Sequence, residues 1–228
     1  MKLSIVIPCF NEIRTIEKIL ANIKKFYTNE KEIIIVDDCS TDGTKEVLQN
    51  LKDTSEIKLI FLEKNYGKGF ALKTGFKEAS GEIIITQDAD LEYHPRDYEN
   101  LLAPFKETDA DVVYGSRFLG SRYSRLHYFS HYIANKFLTF ICNVFTNLNM
   151  TDMETGYKLF KKEVIKSIEI NEKSFGVEPE ITVKLAKKGL KFFEVPISYN
   201  GRSYSEGKKI TAKDGIIALI CILRYRFF

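Results

Sequence analysis

A pair of carboxylates, Asp88 and Asp90, stands out because only Ala89 separates them. Side chains alternate along an extended backbone, so the two aspartates can point the same way. Carboxylates crowded into one cleft repel one another unless a cation neutralises them or some of them take up protons. Mg²⁺ or Mn²⁺ would relieve this repulsion, because each accepts oxygen ligands and keeps coordination positions for phosphate oxygens. The pair therefore predicts a metal-assisted site for a diphosphate.

A second acidic pair, Asp37 and Asp38, directly follows the apolar run IIIV, much as Asp88 comes shortly after EIIIT. Ligands of parallel α/β sheets bind outside the carboxyl ends of the strands, so acidic pairs at two such ends indicate one cleft. An alternative for Asp38 or Asp42 is that it caps the helix that starts near Thr44.

A glycine-rich segment with one lysine comprises Asn65, Gly67, Lys68, Gly69 and Gly75. Glycine lets the backbone approach a ligand closely, free N–H groups at a helix start favour anions, and the lysine adds positive charge. The spacing matches neither GxxxxGK[ST] nor GxGxxG, so neither a P-loop nor a dinucleotide fingerprint is present. The segment predicts a phosphate contact or, alternatively, a simple glycine-permitted turn before a helix.

Short β-branched runs alternate with longer amphipathic segments in the first half of the chain. The predicted strands cover residues 3–8, 32–36, 57–62, 82–86 and 111–114, and the predicted helices cover 12–26, 44–51, 69–78 and 95–105. Continuous apolar strands between helices are typical of a parallel sheet that is covered on both faces. The predicted fold class is therefore α/β.

Two further apolar helices are predicted in the second half. Residues 129–148 have apolar side chains at helical spacing, a strand or hairpin is expected near 190–198, and a last helix starts at Ala212. The last helix carries Arg224 and Arg226 near its end, a composition suited to lipid headgroups. The alternative for both helices is that they simply pack on the sheet.

Charge and cysteine content exclude several classes of protein. The chain has 34 basic and 31 acidic residues, and a net charge of +3 is too small for a dedicated nucleic-acid binder. The segment 201–228 holds six basic and two acidic residues, so it carries +4 and the rest of the chain −1. The four cysteines show no CxxC spacing, which indicates neither a disulfide scaffold nor a zinc site. A reducing, cytoplasmic environment is expected.

The sequence also predicts the kind of membrane contact. The first apolar segment, KLSIVIPCF, lacks the length and the cleavage site of a signal peptide. No run approaches the roughly 18 uncharged apolar residues that cross a bilayer. With the basic segment 201–228, this predicts peripheral attachment to the inner face of the membrane, directly or with the help of a membrane-protein partner.

Eight sequence blocks carry a resemblance to a known family. They are VIPCFNE, VDDCSTDGT, NYGKGFALKTG, DADLEYHP, GSRF, DMETGYKLF, FGVEPE and VPISYNGRSYSEGKK. Their order resembles the family 2 inverting glycosyltransferases of GT-A fold, and more narrowly the polyprenol-phosphate glycosyltransferases, such as the dolichyl-phosphate mannosyltransferases. The resemblance implies a Rossmann-like, mostly parallel sheet flanked by helices, with C-terminal amphipathic helices. It also implies one catalytic domain over residues 1–228, with a nucleotide-sugar-binding half at 1–117 and an acceptor-binding half at 118–228.

The same resemblance assigns the donor site. The residues that would contact the nucleotide are Pro8, Asn11, Glu12, Asp37, Asp38, Lys68 and Asp88. The Mg²⁺ or Mn²⁺ ligands would be Asp88, Asp90 and Glu92, and Glu92 stands where many relatives have Gln. Cys39 replaces the commoner Gly of VDDGS and is expected to be a small, inert residue.

The later blocks assign the acceptor site. The residues that would contact the donor diphosphate or the acceptor are Arg117, His131, Asn135, Glu178, Arg202, Lys208 and Lys209. The expected catalytic residues are Asp90, Arg117 and Asp152, and Asp152 would orient the acceptor or assist proton removal.

The implied reaction transfers a hexosyl group from a nucleotide-sugar of the GDP-mannose or UDP-glucose type to a polyprenyl or dolichyl phosphate, with inversion. The metal would stabilise the departing nucleoside diphosphate. A phosphate monoester has a second pKa of about 6, so it needs no strong base in order to attack. Two alternatives stay open: a soluble family 2 enzyme that acts on a sugar or protein hydroxyl and needs a general base, and a non-catalytic nucleotide-sugar-binding module. A nucleotidyltransferase is conceivable from the fold alone, but the C-terminal blocks argue against it.

Overall fold

A seven-stranded sheet forms the centre of the computed structural model, which describes residues 1–51, 56–120, 125, 128–203, 206 and 212–228. The strands are β1 (Leu3–Cys9), β2 (Lys31–Asp37), β3 (Ile57–Phe61), β4 (Ile83–Thr86), β5 (Val112–Ser116), β6 (Lys158–Lys161) and β7 (Phe192–Pro196). Their order is β3-β2-β1-β4-β6-β5-β7. β6 is antiparallel to β4 and β5, and the other neighbours are parallel. The mostly parallel α/β sheet predicted from the sequence is confirmed.

Helices cover both faces of the sheet. They are α1 (Ile16–Phe26), α2 (Thr44–Asn50), α3 (Lys68–Glu78), α4 (Tyr98–Glu107), α5 (Phe129–Thr146), α6 (Lys162–Lys166), α7 (Val177–Ala186) and α8 (Ala212–Phe227). Helices α1, α2 and α4 contribute to one hydrophobic cluster, and α3 with α5 to α8 contributes to the other. The sheet lies between the two clusters, which explains why its central strands are apolar on both sides.

Strand β1 shows how the alternating side chains divide between these clusters. Ile5 and Ile7 pack with α1, whereas Val6 packs with α3. A Cβ atom at Gly75 of α3 would lie 2.3 Å from Cγ1 of Val6. Glycine at this position therefore lets α3 lie close against the sheet.

The parallel register of β1, β2 and β4 places the candidate site along one edge. Cys9 is opposite Asp37 in the β1–β2 pair, and Val6 is opposite Thr86 in the β1–β4 pair. Asp37 is the last residue of β2 and Asp88 lies two residues beyond the end of β4, so the loops that carry the acidic pairs leave the sheet at the same edge.

Helices α5 and α8 contact each other and expose an apolar surface. The rings of Phe145 and Phe227 meet edge to face, with centroids 5.7 Å apart. The exposed apolar side chains, here called the α5–α8 surface, are Phe129, Ile133, Phe137, Phe140, Val144, Ile216, Ile217, Ile220, Leu223 and Phe227. In the part of the chain that the structure describes, no helix has both the length and the apolar character needed to cross a bilayer.

Candidate active site

The carboxyl end of β2 holds two buried aspartates. Asp37 and Asp38 are 1% and 3% exposed. The Asp38 carboxylate accepts the backbone N–H groups of Tyr66 and Gly67, each at 2.7 Å. Burial raises the pKa of Asp38 although these bonds favour its charged form. Asp38 therefore holds the glycine-rich segment next to the end of β2 through these two hydrogen bonds.

Asp42 bonds a backbone N–H at the start of α2, although the cap position itself is Gly43. Its Oδ1 accepts the N–H of Thr44, the first residue of α2, at 3.0 Å, and its Oδ2 accepts the N–H of Ile13 at 3.2 Å. These bonds satisfy backbone donors at the start of α2 and in the loop after β1. Asp42 thus supports the start of α2 from the position before its cap residue, whereas Asp38 bonds Tyr66 and Gly67 instead.

The loop after β1 runs alongside the turn after β2. Pro8 is half-buried next to Val36, and Asn11 accepts the N–H of Thr41 through its Oδ1 at 2.8 Å. Cys39 adopts a φ of +62°, in the left-handed region that favours glycine. A glycine, as in the VDDGS pattern, would adopt this conformation without the steric cost of a Cβ atom.

Lys68 connects the glycine-rich segment to the first aspartate after β4. Its Nζ lies 2.9 Å from Oδ1 of Asp88 and 3.1 Å from Oε1 of Glu178. Burial disfavours the charged lysine, but the two carboxylates outweigh it and raise the pKa of Lys68. The structure therefore holds a positive charge beside Asp88.

Arg202 contacts three carboxylates that come from two loops. These are Glu12, Asp90 and Glu92, here called the acidic cluster. The guanidinium lies 2.8 Å from Oδ2 of Asp90, 3.3 Å from Oε1 of Glu12 and 3.4 Å from Oε1 of Glu92. Burial raises the pKa of Asp90 to about 7, with further contributions from Glu92 and Asp88. Ionising the acidic cluster therefore costs free energy, and the positive charge of Arg202 lowers this cost.

The oxygen ligands fit a hard divalent cation in chemistry, but they do not form a complete cage. Across the described ranges, no three His, Cys, Asp or Glu side chains are arranged to hold a metal ion. Glu92, the predicted third ligand, accepts the Tyr199 hydroxyl through Oε2 at 2.9 Å and contacts Arg202 through Oε1. Mg²⁺ is commonly held by one or two carboxylates together with substrate phosphates. Asp88 and Asp90, which pair with Lys68 and Arg202 in this structure, are the residues that would hold it here.

A buried ion pair forms the next part of the site. Nε and Nη2 of Arg117 donate to Oδ2 and Oδ1 of Asp152, both at 2.6 Å, and the Arg117 N–H donates to Oδ2 at 3.0 Å. Asp152 is fully buried, and its two oxygens are occupied by these bonds. The Arg117 guanidinium also lies over the ring of Tyr199, 5.1 Å from its centroid. Because Tyr199 bonds Glu92, this pair adjoins the acidic cluster.

A second buried pair joins Lys158 and Glu178, and Glu178 also bonds Lys68. Nζ of Lys158 donates to the carbonyl oxygens of Met153 and Thr155, at 2.9 and 2.6 Å. Lys158 is 1% exposed. The sequence pattern predicted no role for it. The only sequence signal for it is its place within the block DMETGYKLF.

Glu154, which the sequence pattern also left without a role, lies between these pairs. Its Oε1 is buried and has no hydrogen-bond partner among the described residues. Burial is the main reason that the pKa of Glu154 is raised to about 7. The nearby negative charges of Glu178 and Asp152 raise this pKa further, and the positive charges of Lys158 and Arg117 oppose the rise.

The remaining predicted acceptor residues are placed less directly. His131 and Asn135 lie in α5, where the His131 ring is 5.5 Å from that of Tyr128. Their neighbour Lys136 reaches the carbonyl oxygen of Thr151 at 3.2 Å, so this part of α5 adjoins the Arg117–Asp152 pair. Lys208 and Lys209 lie outside the described residues.

Comparison with known sequences connects this site to named proteins. The family model described as Glycosyl transferase family 2 matches residues 4–169. The chain is 30% identical over 211 residues to a dolichol-phosphate mannosyltransferase of Pyrococcus furiosus, covering 91% of this chain and 59% of that protein. It is 30% identical over 217 residues to a dolichyl-phosphate beta-glucosyltransferase of Trichomonas vaginalis, covering 87% of this chain and 65% of that protein. The chain thus spans less than two thirds of each of these relatives.

Comparison with solved structures supports the fold. The crystal structure of glucosyl-3-phosphoglycerate synthase from Mycobacterium tuberculosis, in complex with Mn²⁺, uridine diphosphate and phosphoglyceric acid, aligns with a TM-score of 0.76. The alignment covers 99% of this chain and 78% of that chain at 19% identity. The likeness confirms the GT-A fold.

Proposed function

The chain belongs to glycosyl transferase family 2, and on this premise we propose that it transfers a hexosyl group from a nucleotide-sugar to a polyprenyl or dolichyl phosphate, with inversion. One observation carries the proposal. Two carboxylates after β4 lie against cations, Asp88 against Lys68 and Asp90 against Arg202, and a third cation, Arg117, adjoins them through Tyr199. A reaction that brings a diphosphate and a phosphate together needs both signs of charge in one place.

The donor is proposed to bind across the ends of β1, β2 and β4. Oδ1 of Asp37 is buried without a hydrogen-bond partner among the described residues. An unpaired acceptor in this position suits an N–H or O–H group of a nucleoside. Pro8, near the end of β1, and Asn11, Glu12 and Asp38, in the loops after β1 and β2, are the other proposed nucleotide contacts, and Lys68 would meet the diphosphate.

Asp88 and Asp90 are proposed to hold Mg²⁺ or Mn²⁺. When bound, such an ion would stabilise the negative charge of the departing nucleoside diphosphate. The oxygen-only ligands support this, and two crystal structures of the tuberculosis enzyme with uridine diphosphate are complexes with Mn²⁺ and with Mg²⁺.

Arg117 and Arg202 are proposed to bind the acceptor phosphate, because guanidinium groups match phosphate oxygens in a two-pronged geometry. Asp152 is proposed to orient Arg117 and not to take a proton, since both of its oxygens accept bonds from Arg117. A phosphate acceptor is already largely ionised near neutral pH, so the proposed reaction needs no strong base.

The lipid part of the acceptor suits the α5–α8 surface. Its apolar side chains include Phe129, which is 74% exposed, and Phe227, which is 66% exposed. Arg224 is also exposed near the end of α8. Apolar side chains next to cations are typical of helices that lie at an anionic membrane surface. We therefore propose peripheral attachment at this surface.

The names of two relatives support a polyprenol-type acceptor: one is a dolichol-phosphate mannosyltransferase and the other a dolichyl-phosphate beta-glucosyltransferase. Because these names differ in the sugar, the proposed donor is a nucleotide-sugar of the GDP-mannose or UDP-glucose class.

The test is transfer of label from a panel of UDP- and GDP-sugars to polyprenyl phosphate in the presence of Mg²⁺ or Mn²⁺. We expect label in the organic phase with at least one donor, and NMR of the product should show an inverted anomeric centre. Asp90→Ala should abolish the transfer, whereas Asp109→Ala, at an exposed position, should not. Transfer only to water-soluble acceptors would refute the lipid acceptor, and full activity of Asp90→Ala would refute the assigned site.

A further inference from the structure

Glu154 is a carboxylate that the proposed reaction leaves without a task. It lies in the loop between α5 and β6, and its side chain is partly exposed while its Oε1 is buried. No described residue forms a hydrogen bond with this oxygen. A buried carboxylate oxygen without a partner is unfavourable, and such atoms in native proteins call for an explanation.

The cations near Glu154 already form hydrogen bonds and ion pairs with other groups. Arg117 donates to both oxygens of Asp152. Lys158 is held by Glu178 and by the carbonyl oxygens of Met153 and Thr155, which flank Glu154 in the chain. Burial raises the pKa of Glu154 to about 7, in agreement with a carboxyl that has no dedicated counter-charge. Its hydrogen-bonding capacity is therefore available to a ligand.

The position of Glu154 indicates which part of a ligand it meets. The segment 152–156 begins at Asp152, which bonds Arg117. It ends at Gly156, where a Cβ atom would lie 2.4 Å from Oδ2 of Asp88. Glu154 is the middle residue of this segment, so along the chain it lies between the residue at the proposed acceptor contact and the residue at the proposed donor contact. During transfer, the group between the donor diphosphate and the acceptor phosphate is the sugar.

We propose that the Glu154 carboxyl forms a hydrogen bond with a hydroxyl group of the transferred sugar and thereby contributes to the choice of sugar. A sugar offers neutral O–H donors that satisfy Oε1, whereas a phosphate would add negative charge beside Asp152 and Glu178. Sites built to bond a substrate hydroxyl discriminate strongly against analogues without it. This inference rests on the proposed function.

The test separates the sugar from the rest of the donor. Isothermal titration calorimetry with Mg²⁺ would compare UDP with UDP-glucose and GDP with GDP-mannose, on the wild type, Glu154→Leu and Glu154→Gln. For the nucleotide pair that binds, Glu154→Leu should weaken binding of the nucleotide-sugar by roughly tenfold and leave binding of the nucleoside diphosphate within about twofold. Glu154→Gln, which keeps one oxygen acceptor, should lose less.

A matched control is Glu107→Gln, at an exposed position near the end of α4, which should change neither affinity. Thermal unfolding checks that the variants fold, and Glu154→Leu should be at least as stable as the wild type because it removes an unsatisfied buried group. Equal weakening of both ligands, or no weakening of either, would overturn the inference. Failure of all four nucleotides to bind the wild type would instead overturn the proposed function, and the inference with it.

Discussion

The Arg117–Asp152 pair makes a stability prediction at the scale of single residues. Asp152 is fully buried and the Arg117 side chain is 13% exposed. Burial disfavours the Arg117 charge, but Asp152 raises the pKa of Arg117 well above its ordinary value. Asp152→Asn keeps the shape and removes the counter-charge, so it should lower the free energy of unfolding by about 3 kcal/mol, measured by urea denaturation at neutral pH.

The matched control is Asp109→Asn, which disrupts the exposed pair between Asp109 and Lys191. Such surface pairs contribute little, so the urea midpoint should stay unchanged. Similar midpoints for the two variants would contradict a stabilising role of Asp152. Loss of transfer without loss of stability would instead favour proton removal by Asp152.

Individual site residues could be predicted from the sequence where they follow a strand. Asp37 and Asp88 are examples, because apolar runs mark the strand ends and parallel strands end at the same edge. Their partners could not be predicted, since Asp90 and Arg202 are 112 residues apart and no local pattern connects them. Glu154 gives no periodic signal at all. Glu154 stands out only because the nearby cations Arg117 and Lys158 bond other groups and leave its Oε1 unpaired within the described part of the chain, and these contacts are visible only in the three-dimensional structure.

The α5–α8 surface makes a prediction at the scale of whole elements. Phe140 and Ile220 are 62% and 56% exposed, one on each helix. Replacing both with Gln should weaken binding to anionic vesicles by at least roughly tenfold, since each side chain loses much of its transfer free energy. The measurement is sedimentation with vesicles, and the thermal midpoint in solution should not fall.

Phe26→Gln is the control for this prediction, because Phe26 is 38% exposed at the end of α1, on the opposite face of the sheet. It should bind vesicles as the wild type does. Equal binding by the α5–α8 variant and the wild type, or no binding by the wild type, would refute membrane attachment at this surface.

Elements with a clear apolar period were predictable to within a few residues, as β1 to β5 and α1 to α4 show. Strand β6 was not predicted, because its four residues, KLFK, are too short to show a period. Helix α7 was missed for a different reason. It is buried along almost its whole length, so it lacks the polar face that identifies an amphipathic helix.

Arg202 makes a prediction for the molecule as a whole, because it joins the acidic cluster to a late segment of the chain. Without its guanidinium, Glu12, Asp90 and Glu92 would repel one another. Arg202→Ala should lower the free energy of unfolding by about 2 kcal/mol in EDTA. Added Mg²⁺ or Mn²⁺ should raise the thermal midpoint more in this variant than in the wild type, as measured by scanning fluorimetry.

Lys106→Ala is the control, because Lys106 pairs with Glu99 at an exposed position in α4. Its midpoint should respond to the metal ions as the wild type does. An equal response by Arg202→Ala would show that Arg202 and the divalent cation do not neutralise the same carboxylates.

The distance along the chain between Arg202 and Glu12, 190 residues, also affects the order in which the site forms. A ribosome releases Glu12, Asp90 and Glu92 long before Arg202, and N-terminal parts of a chain generally fold first. A nascent chain that has already paired β1, β2 and β4 therefore carries the acidic cluster without its guanidinium. The acidic cluster acquires its guanidinium only after the segment around Arg202 has been synthesised and has folded back onto the sheet edge.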